Sequence, residues 1–116
     1  MKRDIDLART MLFAIEKDKR ATGHGFICLN IDGYSKEEVS YHVNLLYEAG
    51  MIDAIDLSSL DNYRWEPRKL TWQGHEFLDL ARNDNLWGKA KKELKKIENF
   101  SFQVLQNVLI RLATQQ

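Results

Sequence analysis

Cysteine and proline are almost missing from this chain: Cys28 and Pro67 are the single examples of each. One cysteine excludes an internal disulfide framework and fits a reducing compartment. No apolar run approaches the roughly 18 residues of a membrane span, so no membrane partner is expected. The opening Met1-Lys2-Arg3-Asp4-Ile5-Asp6 is charged and no apolar segment follows it, unlike a secretory leader. Neither of the glycine-rich phosphate-binding signatures occurs, nor does the paired-histidine zinc-protease signature. His24, His42 and His75 share no metal-ligand spacing with one another or with Cys28. Internal repeats and low-complexity tracts are also lacking. The expectation is a soluble cytoplasmic protein that is not an enzyme and takes no cofactor or metal. An enzymatic reading would need a pocket uniting Cys28 with a histidine.

Net charge is lacking too, since 17 basic residues balance 17 acidic ones. Phosphate neutralisation supplies most non-specific DNA affinity, so the distribution matters more than the total. Residues 1–20 carry a balance of +2, residues 21–60 of −5, residues 61–86 of −1 and residues 87–116 of +4. The centre of the chain is its most acidic part, and the basic charge gathers towards the C-terminal end.

What is present is an ordinary globular composition, 44% hydrophobic and 29% charged, in a length that suits one domain with an appendage. The chain is organised around residues 35–50. Ser35 and Glu38 form a capping box, Val39, Val43 and Leu46 make an apolar stripe, and Gly50 supplies the left-handed residue that ends the helix. A first helix is expected over residues 3–18, with Ile5, Ala8, Leu12 and Ile15 on one face. Residues 21–25 read as a glycine loop and residues 26–31 as a strand. Residues 52–57 read as a second strand, and residues 68–70 as a third after a polar turn. Pro67, having no backbone donor, suits an edge.

Thr71 is a candidate cap for a helix to about Arg82 in which Gly74, Phe77, Leu78 and Ala81 share a side. Asn83 begins another helix, with Leu86, Ala90, Leu94 and Ile97 on one side and five lysines on the rest. Asn99-Phe100-Ser101 makes the last corner, and Ser101 caps a last helix with Phe102, Leu105, Leu109 and Leu112 in a stripe. Trp65, Trp72 and Trp87 are expected to pack the strand pair and the helix after it.

With these landmarks placed, the chain resembles a family of small bacterial and prophage proteins known only as a domain of unknown function. The resemblance rests on residues 1–7, on Gly33-Tyr34-Ser35, Tyr41-His42-Val43 and Leu45–Ile52, on Leu70–Asp79, and on Trp87. More broadly, Glu48-Ala49-Gly50-Met51-Ile52 and Leu70-Thr71-Trp72-Gln73-Gly74 resemble winged-helix transcription regulators, which end the recognition helix and open the next one in similar ways. That resemblance implies an α+β, mostly α fold. Residues 1–82 would form a winged-helix-like domain with helix 1, three short antiparallel strands, a recognition-type helix and a wing. Residues 83–116 would form a C-terminal helical hairpin packing on the domain or on a partner. One departure is visible, because residues 22–34 leave little room for the positioning helix of a helix-turn-helix.

Two functions are expected from this reading. In the first, a phage-related regulator binds duplex DNA as a homodimer through its terminal helices. Lys36, Ser40, Asn44 and Tyr47 would face the groove, with Arg64, Arg68 and Lys69 of the wing on phosphates. Phe102, Leu105, Val108, Leu109 and Leu112 would build the interface between copies. In the second, the same scaffold is a protein-interaction module without DNA binding, using the acidic central helix and Tyr41, Tyr47 and Tyr63 as its contact surface.

Overall fold

A computed structural model of the protein describes residues 1–97 and 100–115. Asn99 of the expected corner lies outside the described residues. In chain order the elements are α1 (Ile5–Lys17), α2 (Lys36–Glu48), β1 (Ile52–Asp56), β2 (Trp65–Leu70), α3 (Trp72–Ala81), α4 (Asp84–Leu94) and α5 (Phe102–Thr114). The fold is α+β and mostly helical, with one two-stranded antiparallel sheet among the described residues. The chain divides into two units, Met1–His75 and Glu76–Gln116.

Local chemistry sets the helix ends of the first unit. Asp4 caps α1, its carboxylate accepting from the amides of Asp6 and Leu7. Ser35 and Glu38 close a reciprocal capping box on α2. Gly50, at φ +77°, ends that helix. Its amide donates to Tyr47 O and the Met51 amide donates to Leu46 O, the double bond of a Schellman turn. Leu7, Met11, Leu12 and Ile15 of α1 and Val39, Val43 and Leu46 of α2 are buried, and α1 packs against α2 and β2. Each such fully buried aliphatic side chain contributes roughly 1.5–3 kcal/mol.

Asp4 has further duties. Its own amide donates to His42 Nε2 at 2.8 Å, and its second carboxylate oxygen accepts from the Tyr34 hydroxyl at 3.2 Å. His42 Nδ1 lies 2.8 Å from Glu38 O, so the proton must sit on Nδ1 for both contacts of the ring to be hydrogen bonds. The carboxylate of Asp4 beside Tyr34 raises the pKa of that phenol. This buried imidazole ties the chain before α1 to the middle of α2.

The sheet has two strands rather than three. β1 and β2 pair with Ile52 opposite Leu70 and Asp56 opposite Trp65, and a bulge leaves Arg68 as the extra residue. Residues 26–31 run beside β2 without becoming a strand. Ile27 N donates to Pro67 O at 2.9 Å, but Pro67 has no N–H to return the bond. The next amide on that side, Leu29 N, donates to the Glu66 carboxylate instead of a main-chain carbonyl. Proline and a buried side-chain acceptor thus replace the ladder that a third strand requires.

α3 begins on the Schellman turn. The Thr71 hydroxyl accepts from Gly74 N, the capping contact of a first turn, and donates to Gly50 O at 2.6 Å. Thr71 N donates to Met51 O at 3.1 Å. Trp72 departs from its expected packing, being 79% exposed. It stands two residues before Gly74, about 200° round the helix from the side that Gly74, Phe77, Leu78 and Ala81 share.

In the second unit, Phe77, Leu78 and Ala81 of α3, Leu86, Trp87, Ala90 and Leu94 of α4, and Leu105 and Leu109 of α5 are buried. Phe77 meets Trp87 and Phe102 edge-on at ring separations of 6.4 and 5.3 Å. Asn83 caps α4, Ser101 caps α5, and Arg111 pairs with Glu93 between α5 and α4.

Candidate functional site

Residues on α2 divide by their angle round the helix. Val39, Ser40, His42, Val43 and Leu46 are buried. Opposite that stripe, at i, i+4, i+7 and i+11, stand Glu37, Tyr41, Asn44 and Glu48. Glu37 and Glu48 are exposed, and this outward line holds two carboxylates and no cation. The expected groove-facing set lies to one side of it. Lys36 is exposed at the first helical position, but Ser40 is only 6% exposed. Tyr47 is exposed on one side while its ring leans on Trp65 of β2 at 5.6 Å. Asn44 alone belongs to both the expected set and the outward line.

The connection between the strands completes this surface. Asp56 accepts from Ser58 N and Leu57 N donates to Arg64 O, so the hairpin is closed up to the Ser59–Asn62 bridge. Tyr63 then reaches back to α2, where its hydroxyl comes near the Asn44 side chain. Burial raises the Tyr63 pKa above its ordinary value, the Asn44 side chain opposes the rise, and the negative charges of Asp56 and Glu48 add to it. Those same neighbours define one continuous patch of Tyr41, Asn44, Glu48, Asp56 and Tyr63.

The three wing cations behave differently from one another. Arg64 donates from Nε to Glu66 at 3.2 Å and from Nη2 to Cys28 Sγ at 3.1 Å, and it lies 5.4 Å over the Phe26 ring. Arg68 donates from Nη2 to Gly23 O at 2.7 Å and pairs with Asp53 at 3.6 Å. Both guanidinium groups therefore hold residues 23–28 against β2. Lys69 is exposed, with its aliphatic stem against Gly23. Glu66 is the least expected participant, 4% exposed and bonded to both Arg64 and Leu29. Strand period offered a signal for it, because residues 64 and 66 share one side of an extended chain.

The expected terminal interface is split. Leu105 and Leu109 are fully buried in the second unit, whereas Phe102, Val108 and Leu112 are half-buried. Val104 and Ile110 are the more exposed apolar residues of α5. Among the described residues no group of three or more His, Cys, Asp and Glu side chains is arranged to hold a metal ion, and no helix is long and apolar enough to cross a membrane.

These features describe a small, mostly helical α+β protein with an acidic, tyrosine-bearing face on its central helix. Residues 2–101 match the family of hypothetical proteins DUF2513, and the chain belongs to that family. An uncharacterised protein of Haemophilus influenzae is 45% identical over 95 residues, covering 82% of this chain and 80% of that protein. No solved structure matches the chain.

Proposed function

We propose that the protein is an interaction module built on a winged-helix-like scaffold, and that the outward line of α2 takes a basic segment of another protein. The observation that carries this reading is the charge of that line. Glu37 and Glu48 flank Tyr41 and Asn44, with Asp56 and Tyr63 beside them, and the arginines nearest in sequence are committed to Glu66, Asp53 and the chain at residues 23–28. Tyrosines supply contact area and cation–π faces, and the carboxylates supply complementarity to Lys and Arg. The same carboxylates would repel a phosphate backbone.

A second reading, a DNA-binding regulator, is favoured by one specific feature. The Schellman end of α2, the strand pair and the Thr71-capped start of α3 follow the order expected of a recognition helix and its wing. Exposed Lys36 and Lys69 would then touch phosphate.

Fluorescence anisotropy separates the two. A labelled Arg/Lys-rich peptide is expected to bind at about 50 mM salt, more weakly at about 200 mM, and not to the Glu37→Lys/Glu48→Lys variant. Mixed-sequence duplex DNA is expected not to bind at either salt. DNA binding that falls by orders of magnitude between the two salts would overturn the proposal in favour of the second reading.

A further inference from the structure

A pocket of about 260 Å³ opens in the first unit between the start of α2, the end of the strand connection and the chain at residue 29. Its polar groups converge from separate segments: Lys36 and Ser40 from α2, Asn62 and Tyr63 from the connection, and Arg64 and Glu66 from around the start of β2. Leu29 supplies an apolar wall. The pocket is distinct from the outward line of α2 and stands whether that line meets protein or DNA.

Four features suit the pocket to a ligand. Ser40 places a hydroxyl on the buried side of α2, where Val39, Val43 and Leu46 would lead one to expect an aliphatic residue. Arg64 is held by Glu66, Cys28 and Phe26, so its guanidinium is presented in a fixed orientation. Two of its five donor hydrogens are spent on those hydrogen bonds, and the rest remain for an acceptor. Lys36 and Arg64 against Glu66 leave a surplus of one positive charge. The volume equals that of roughly eight or nine waters in the liquid, enough for a ligand of up to about ten heavy atoms.

We infer that this pocket binds a small organic anion carrying a hydrogen-bond donor next to its anionic group. The anionic group meets Lys36 and Arg64. The donor meets Glu66, whose oxygens each accept one bond within the protein and each retain a lone pair. A 2-hydroxy carboxylate and a hydroxyalkyl phosphate share this chemistry. Because Asn62 and Tyr63 line the pocket opposite Lys36 and Ser40, an occupant would hold the strand connection against α2.

The test is an amide-resolved NMR titration of the whole chain with lactate, glycerol 3-phosphate and propionate. At least one of the first two is expected to give saturable shifts at residues 29, 36, 40 and 62–66, with half-saturation at or below about 1 mM. Which of the two binds more tightly identifies carboxylate or phosphate as the preferred anion. Propionate, which lacks the donor, is expected to bind at least about tenfold more weakly. Lys36 is exposed and Ser40→Ala is a small change, so Lys36→Ala and Ser40→Ala should keep the fold, checked by the spectrum of residues outside the pocket. Each is expected to weaken the tighter ligand, Lys36→Ala by about tenfold or more. The inference is overturned if neither lactate nor glycerol 3-phosphate gives saturable shifts at these residues. It is equally overturned if Lys36→Ala leaves the affinity unchanged.

Discussion

Replacing Gly74 by alanine tests how α3 is seated on the turn that ends α2. A methyl group at this position would overlap the Met51 carbonyl oxygen, with the Met51 carbonyl carbon at 3.0 Å and its Cα at 3.4 Å. The obstacle is main chain and cannot swing aside like a side chain. Met51 O is also the acceptor for Thr71 N, and Gly50 O is the acceptor for the Thr71 hydroxyl. Relieving the overlap therefore means lifting the first turn of α3 away from both bonds. Overpacking of this kind costs typically about 1–3 kcal/mol, and each disturbed hydrogen bond adds about 1 kcal/mol. Alanine's better helix propensity returns at most about 1 kcal/mol, since the site lies in the first turn. The expected net destabilisation is about 2–4 kcal/mol. Gly88→Ala is the internal control. Gly88 lies inside α4 with nothing within 4 Å of its added methyl, so the same substitution should stabilise by up to about 1 kcal/mol. Urea denaturation followed by far-UV circular dichroism reads both signs, with the slope m unchanged. If Gly74→Ala were as stable as the parent chain, the account of α3 seated against the Met51 carbonyl would be refuted.

The remaining predictions concern the first unit. His42→Phe keeps a ring in the buried position but removes the acceptor for Asp4 N, and it should destabilise by about 1–3 kcal/mol. Equilibrium urea unfolding measures this, and an unchanged midpoint would show that the Asp4–His42 bond adds nothing to the clamp. The Asp18 carboxyl, hydrogen-bonded by the Arg20 side chain and then by its amide, has its pKa lowered from 3.8 to about 2. Being depressed in the folded chain, it contributes stability that is present above pH about 4 and is lost as pH falls through about 2. A carboxyl-detected NMR titration should place the Asp18 midpoint near 2, and Arg20→Gln should move it up towards 3.8.

Helix ends were largely legible because capping is local chemistry. Ser35 with Glu38, Gly50, Thr71, Asn83 and Ser101 each lie within a few residues of the amides or carbonyls they serve, so spacing alone locates them. The outward line of α2 was legible only in part, because the expected set of Lys36, Ser40, Asn44 and Tyr47 lies to one side of it and shares only Asn44 with it. Glu37, Tyr41 and Glu48 lie opposite the stripe of Val39, Val43 and Leu46 by helical arithmetic. Ser40 was not legible, because a serine reads as solvent-facing by type. It is buried on the pocket side, where residues 62–66 of a separate segment also line the wall.

The third strand and the packing of the wing arginines were not legible in the sequence for one shared reason. An extended apolar run such as residues 26–31 reads as a strand wherever a partner edge is available. Whether a ladder forms depends on the donors of that edge, some 40 residues away. Pro67 removes the donor that would answer Ile27, and Glu66 takes the amide of Leu29. With no ladder to hold it, the run is held from the side, by Arg64 over Phe26 and against Cys28, and by Arg68 on Gly23. The two wing arginines that look free for phosphate in the sequence thus spend part of their donors on holding this run beside the proline that interrupts the sheet. The outward face of α2 takes its acidity from its own Glu37 and Glu48 and carries no arginine to offset it, and that is the charge a basic partner would meet.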